Sequence, residues 1–160
     1  MMMTAGAQAQ SSKVWAGGKI GYWHNDVAEP KEQLTISPEV GYDLTSKWSI
    51  AMGLGISYLD TDGGSATAVT FDPYARYKFY KNDRLTLFVD GGFGVATADA
   101  SGWNIGIKPG LAYDINKRFS VVTHVGFLGY AEDYYNNGNG GGFGLMWNNT
   151  SLDLGLYFRF

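Results

Sequence analysis

The sequence predicts an all-β fold, an eight-stranded antiparallel up-and-down transmembrane β-barrel. Three observations predict it. From Lys13 onward the chain breaks into segments of about ten residues in which apolar and polar side chains alternate. One set in each segment is nearly free of charge, whereas the other collects Gly, Ser, Thr and the mid-strand charges. The connections alternate in length, short turns at one end and longer polar segments at the other.

Taken in order, the sets assigned to the outer face begin with Val14, Ala16, Gly18, Ile20 and Tyr22 in the first strand. Leu34, Ile36, Pro38, Val40, Tyr42 and Leu44 form the second, and Trp48, Ile50, Met52, Leu54, Ile56 and Tyr58 the third. The fourth has Val69, Phe71, Pro73, Ala75, Tyr77 and Phe79; the fifth has Leu85, Leu87, Val89, Gly91, Phe93 and Val95. The sixth is the most regular, with Trp103, Ile105, Ile107, Pro109, Leu111, Tyr113 and Ile115 set against Asn104, Gly106, Lys108, Gly110, Ala112 and Asp114. The seventh gives Phe119, Val121, Val125 and Phe127, with Thr123 as an exception. Leu152, Leu154, Leu156, Phe158 and Phe160 complete the eighth. Short turns fall at Thr45-Ser46-Lys47, Lys81-Asn82-Asp83-Arg84 and Asn116-Lys117-Arg118. Longer segments run over 24–33, 60–66, 96–102 and 131–148. In outer-membrane barrels the short turns face the periplasm, so both termini are expected on that side.

A soluble barrel buries its apolar face and shows polar residues to water. Here the polar set holds glycines and charges, which suit the narrow lumen of eight strands. The apolar set would be far too large to leave in water. Lipid removes that penalty. Ten residues at about 3.3 Å each, tilted by about 40°, span roughly 25 Å, the height of the apolar band in such barrels. Aromatics near the strand ends, among them Trp48, Phe79, Tyr113 and Phe160 at one end and Tyr58, Phe93, Trp103 and Phe127 at the other, suit the two interfaces. A mean hydropathy of −0.15 and the lack of any run approaching the ~20 apolar residues of a membrane helix do not count against this, because alternation hides a barrel from hydropathy.

Composition narrows the function. The 160 residues suit one domain, with 16 % aromatics and 23 glycines. A net charge of −3 gives no basic face for nucleic acid. Without cysteine there is no disulfide, thiolate metal site or thiol nucleophile. At the start, Ala7-Gln8-Ala9 has the small-x-small form of a signal cleavage site. Residues 1–9 are therefore expected to be a residual signal-peptide segment and 10–160 the barrel domain.

The C-terminus is the most specific piece. Asp153-Leu154-Gly155-Leu156-Tyr157-Phe158-Arg159-Phe160 places a polar residue, a glycine two on, and then hydrophobics at alternate places ending in Phe. It is similar to the terminal β-signal of small outer-membrane barrels, and from about Lys13 the chain resembles the OmpX-like and OmpA-barrel-like porin family. That resemblance implies a bacterial outer-membrane location and recognition by the outer-membrane assembly machinery, with Asp153, Gly155, Phe158 and Phe160 as the signal. Only the final eight residues are motif-specific.

Inward positions hold Lys19, Arg76, Lys78, Lys108 and Arg159 alongside Glu39, Asp43, Asp72, Asp90, Asp114 and Asp153. Near balance of sign predicts a salt-bridged filled lumen rather than an ion-selective pore, because an unpaired buried charge is costly. Catalytic groups are not expected. The only histidines are His24 and His124, and the His-x-Ser spacing of lipid A deacylase barrels is absent because position 126 is Gly. Asp60-Thr61-Asp62-Gly63-Gly64 begins like a calcium loop, but its twelfth place is Phe71. The glycine-rich stretch 136–144 lacks the strand-then-helix setting of a phosphate cradle. No cofactor or metal is predicted. Tyr134, Tyr135, Phe143, Met146 and Trp147 in the longest loop form the candidate contact surface, with a hairpin rising above the membrane as the structural alternative.

The leading expectation is a non-enzymatic outer-membrane protein with lipid and lipopolysaccharide around it, serving envelope structure and binding or adhesion through its loops. The alternatives are a narrow channel for small solutes or ions and a membrane-embedded lipid-modifying enzyme; a soluble ligand-binding barrel is the architectural rival. The face assignment is testable at Ile107, where arginine near mid-strand should cost roughly 2–4 kcal/mol. Urea titration of the protein refolded in lipid vesicles measures that loss, and a change below ~0.5 kcal/mol would place Ile107 away from lipid.

Overall fold

The computed structural model describes residues 13–24, 32–61, 63–98, 102–132, 142–146 and 152–160. The residual signal segment expected over 1–9 lies outside them. The strands are β1 (Val14–His24), β2 (Glu32–Asp43), β3 (Trp48–Thr61), β4 (Gly64–Lys81) and β5 (Leu85–Ala98). They continue with β6 (Gly102–Asp114), β7 (Phe119–Val125), β8 (Phe127–Glu132), β9 (Gly142–Met146) and β10 (Leu152–Arg159). Every pairing is antiparallel, in the order β5-β4-β3-β2-β1-β10-β7-β6, with β5 paired to β6. The sheet therefore closes on itself. Because β7 and β8 form one stave and β9 and β10 the next, the ten strands make a barrel of eight staves. The last seam joins the chain's two ends, from Trp15 opposite Arg159 to Ile20 opposite Leu154.

The alternation of the sequence becomes two faces. Ile20, Leu154 and Leu156 are 62 %, 61 % and 60 % exposed on the outside, whereas Phe88 and Val122 are 1 % and 0 % exposed within. In a soluble monomer such an outer wall would be untenable. Inside, large side chains lie over glycines of the neighbouring stave. Trp15 covers Gly41 and Phe88 covers Gly110, and a Cβ at either glycine would fall within the ring. The lumen is thus filled by pairing bulk with absence of bulk, as a narrow barrel requires. Trp15 and Tyr157 stack with centroids 4.5 Å apart and, with Phe88 and Val122, make a small aromatic core in the turn-side half.

The three short turns share one chemistry. The side-chain oxygen of Thr45 accepts from the backbone N–H of Lys47 and Trp48, that of Asn82 from Arg84 and Leu85, and that of Asn116 from Arg118 and Phe119. Asn and Thr suit such turns because a short side chain can replace a backbone acceptor.

Two expectations are corrected. Residues 60–66 do not form a long loop: β3 and β4 stay paired up to Thr61 opposite Gly64, where Gly64 has φ 133°. The polar residues of this stretch read as a loop, but the strands extend beyond the apolar band. Phe127, expected on the outer face, is 4 % exposed and points inward. Ile107 pairs with Leu128 and Gly110 with His124, so the seventh stave holds one residue more than β6 across that interval. The extra residue is absorbed at Gly126, whose φ of 86° suits glycine. The bulge reverses the alternation, and His124 and Phe127 both face in. At the longest loop, β8 and β9 pair from Phe127 opposite Met146 to Ala131 opposite Gly142, so a hairpin rises from the barrel there.

Candidate functional site in the barrel lumen

Inward positions of six staves meet near mid-height because each lies about five residues from the turn end of its strand. Lys19 on β1 sits 2.5 Å from Glu39 on β2 and 3.6 Å from Asp153 on β10. Glu39 also accepts from the hydroxyls of Tyr74 (2.9 Å) and Tyr157 (2.5 Å). Arg76 on β4 grips Asp90 on β5 with a two-point contact, Nε to Oδ1 and Nη2 to Oδ2, each 2.7 Å. The same Nη2 lies 3.4 Å from the Tyr157 hydroxyl, and the guanidinium rests 3.8 Å from the centre of the Phe88 ring. His124 completes the circle, with Nε2 2.7 Å from Asp90 and Nδ1 2.8 Å from Asp153.

The contacts form a closed belt: Lys19, Glu39, Tyr157, Arg76, Asp90, His124, Asp153 and back to Lys19. A neutral imidazole donates from one nitrogen only, and both His124 nitrogens face carboxylate oxygens. Lys19, Arg76 and the His124 ring are set against Glu39, Asp90 and Asp153, so each of these buried acids has a partner in the belt, as burial of charge requires. Arg76 gains further from its position over Phe88, where a cation meets the ring face in a site shielded from water.

A second tier lies closer to the turns. Asp43 accepts from Lys78 (2.8 Å) and Ser49 (2.5 Å) and lies 3.4 Å from Arg159, while Asp114 accepts from Ser120 at 2.5 Å. Beside the aromatic core lies a cavity of about 30 Å³ that runs from Arg76 toward the turn end, bordered by Trp15, Lys81, Tyr157 and Arg159 among others. Outside the belt, Asp72 lies on β4 opposite Gly53, and Lys108 on β6 opposite Asp90, its ammonium 5.9 Å from the centre of the Phe127 ring.

The eleven predicted lumen charges thus fall into the belt, the turn-side tier, and Asp72 and Lys108. Sequence reasoning did not include His124 in the network, nor Tyr74 and Tyr157. Their inward parity was legible, but their partners depend on barrel geometry. In the longest loop, Phe143 is 78 % exposed; Tyr134, Tyr135, Trp147 and the side chain of Met146 lie outside the described residues. Of the terminal residues, Gly155 is buried beside Lys19, Asp153 contributes to the belt, and Phe158 and Phe160 pack edge to face with centroids 5.2 Å apart.

A closed antiparallel barrel with an apolar wall and a paired charged interior is an integral membrane barrel. The chain belongs to the outer membrane protein beta-barrel domain family, matched over residues 1–160, which makes it a protein of the bacterial outer membrane. No curated protein matches it. Among solved structures it is similar to the N-terminal beta-barrel domain of Pseudomonas aeruginosa OprF, at 19 % identity and a TM-score of 0.56, covering 94 % of this chain and 100 % of that one. It is also similar to the Yersinia pestis outer membrane protein Ail, at 15 % identity and a TM-score of 0.50, covering 91 % and 99 %. A de novo designed transmembrane beta-barrel gives 10 % identity and a TM-score of 0.57, covering 94 % and 98 %. At these identities the likeness is one of fold.

Asp90 joins Arg76 and His124, so removing it leaves both short of a partner. Asp90→Ala should destabilise the refolded barrel by about 3–5 kcal/mol. Urea unfolding in lipid vesicles measures the change; a loss below ~1 kcal/mol would mean that the belt contributes little.

Proposed function

We propose that this protein is a non-enzymatic, non-conducting barrel that serves the structure of the outer membrane and carries its loops to the cell surface as contact elements. The belt around Arg76 and Asp90 is the observation that supports this reading. Its side chains cross the lumen from six staves with the aromatic core directly beneath, which supports a lumen filled by side chains. An enzymatic reading has less support. Both nitrogens of His124 are engaged by carboxylates, leaving neither to activate a hydroxyl. The short turns and both termini face the periplasm in this reading, and the β8–β9 hairpin with exposed Phe143 faces outward as the first candidate for contact with another surface. The terminal Asp153, Gly155, Phe158 and Phe160 act as the signal read by the assembly machinery.

Planar-bilayer recording of the refolded protein tests the closed lumen. The expected trace is silent at moderate voltage, and a stable ohmic step that changes in Arg76→Ala would replace this reading with a narrow channel. For the terminal signal, deleting Phe160 should lower the amount assembled in cells while refolding in detergent changes little; equal losses in both would make Phe160 a packing residue only.

A further inference from the structure

The charges outside the lumen are divided between the two ends of the barrel. The turn end carries Lys13, Lys47, Lys81, Arg84, Lys117 and Arg118, all exposed, with Asp83 as the only acid among the turn residues. By sequence, the stretches 24–33, 60–66, 96–102 and 131–148, where strands and their connections reach the other end, hold eight acids and one lysine. A net charge of −3 conceals this separation.

The basic end is built rather than scattered. In each turn the residue two places after the capping Thr45, Asn82 or Asn116 is a cation: Lys47, Arg84 or Arg118. The carbonyl of each is tied to the next stave, accepting from the N–H of Lys78, Asp114 and Arg159 in turn. Lys13 repeats the arrangement at the foot of β1, where its carbonyl accepts from the N–H of Asp43 on β2. A cation therefore stands at the foot of each of the four staves that leave the turn end, and the four surround the mouth. They lie beside exposed interfacial aromatics, Trp48 at 48 %, Phe119 at 45 % and Phe160 at 66 %. Arg84 reaches back over the outer wall, its guanidinium 3.5 Å from the Tyr113 hydroxyl.

We propose that this collar binds the anionic phospholipid headgroups of the leaflet at the turn end. A protein partner would be met by one face of the barrel, but these cations are distributed around the whole circumference, as the lipid is. The turns are also too short to project far past the headgroups. Lys and Arg stems can lie along the apolar wall while their charges stay at phosphate level, and the attraction is confined to about a Debye length of the surface.

The test uses the refolded barrel in mixed phosphatidylcholine–phosphatidylglycerol vesicles, with one lipid brominated at a time to quench nearby tryptophan. The Trp48 signal is taken as the difference between the protein and Trp48→Phe, and the Trp103 signal is isolated in the same way. Brominated phosphatidylglycerol should quench Trp48 about twofold or more beyond brominated phosphatidylcholine at equal mole fraction. That preference should shrink as salt is raised, and Trp103, at the acidic end, should show none. In the variant K47Q/K81Q/R84Q/K117Q/R118Q the preference should vanish while the heat-modifiable gel shift of a folded barrel remains. Equal quenching of Trp48 by the two lipids overturns the proposal, as does a preference that survives in the neutralised variant. If that variant fails to fold, the salt dependence of the unaltered protein decides: a preference insensitive to salt also overturns it.

Discussion

Closure of the sheet is the condition on which the rest of this molecule depends. Hydrocarbon offers no hydrogen bond to a strand edge, and each unpaired backbone group left there costs several kcal/mol. The pairing of β1 with β10 removes both edges at once, and it does so with the chain's two ends. Once the sheet is closed, eight staves fix a lumen too narrow for anything but side chains, and every residue is committed to lipid or to that lumen. Exposed Ile and Leu on one face and charges on the other are two results of the same closure.

The interior is built differently from that of a water-soluble barrel. With apolar residues already required on the wall, an apolar lumen would leave little to tell one face of a strand from the other. A polar lumen makes the distinction absolute, because a stave slipped by one residue would place Lys19 or Arg76 in hydrocarbon. The belt then satisfies those charges against one another. Each component enlists two or more staves: Asp90 holds β4 and β7, Asp153 holds β1 and β7, and Glu39 holds β1, β4 and β10. These are contacts across the barrel as well as around it, so they tie together staves that the backbone ladder leaves apart.

Much of this was legible in the sequence because period-two alternation reports a strand face directly. The sixth strand, Trp103 to Ile115, keeps its assigned faces throughout, and the inward parity of all eleven lumen charges could be read from their neighbours. What could not be read follows from geometry between strands. The contact of Arg76 with Asp90 depends on a register that places those residues opposite each other. His124 between two carboxylates depends on three staves at once. Phe127 was assigned to the wrong face because one inserted residue inverts all that follows, and only the glycine at 126 hinted at it. The β3–β4 hairpin reads as a loop in the sequence because polarity marks where lipid ends, whereas strand pairing continues into water.

The bulge at Gly126 divides the seventh stave into two lengths of opposite phase. Below it, parity is locked to the belt through His124; above it, parity is set by Phe127 and the hairpin with β9. The two lengths are therefore separate reading frames. A change of one residue in the projecting hairpin alters which side chains it displays without moving the imidazole or any charge bound to it. The projecting end of the barrel can thus be rewritten while the part that holds the wall together keeps its text.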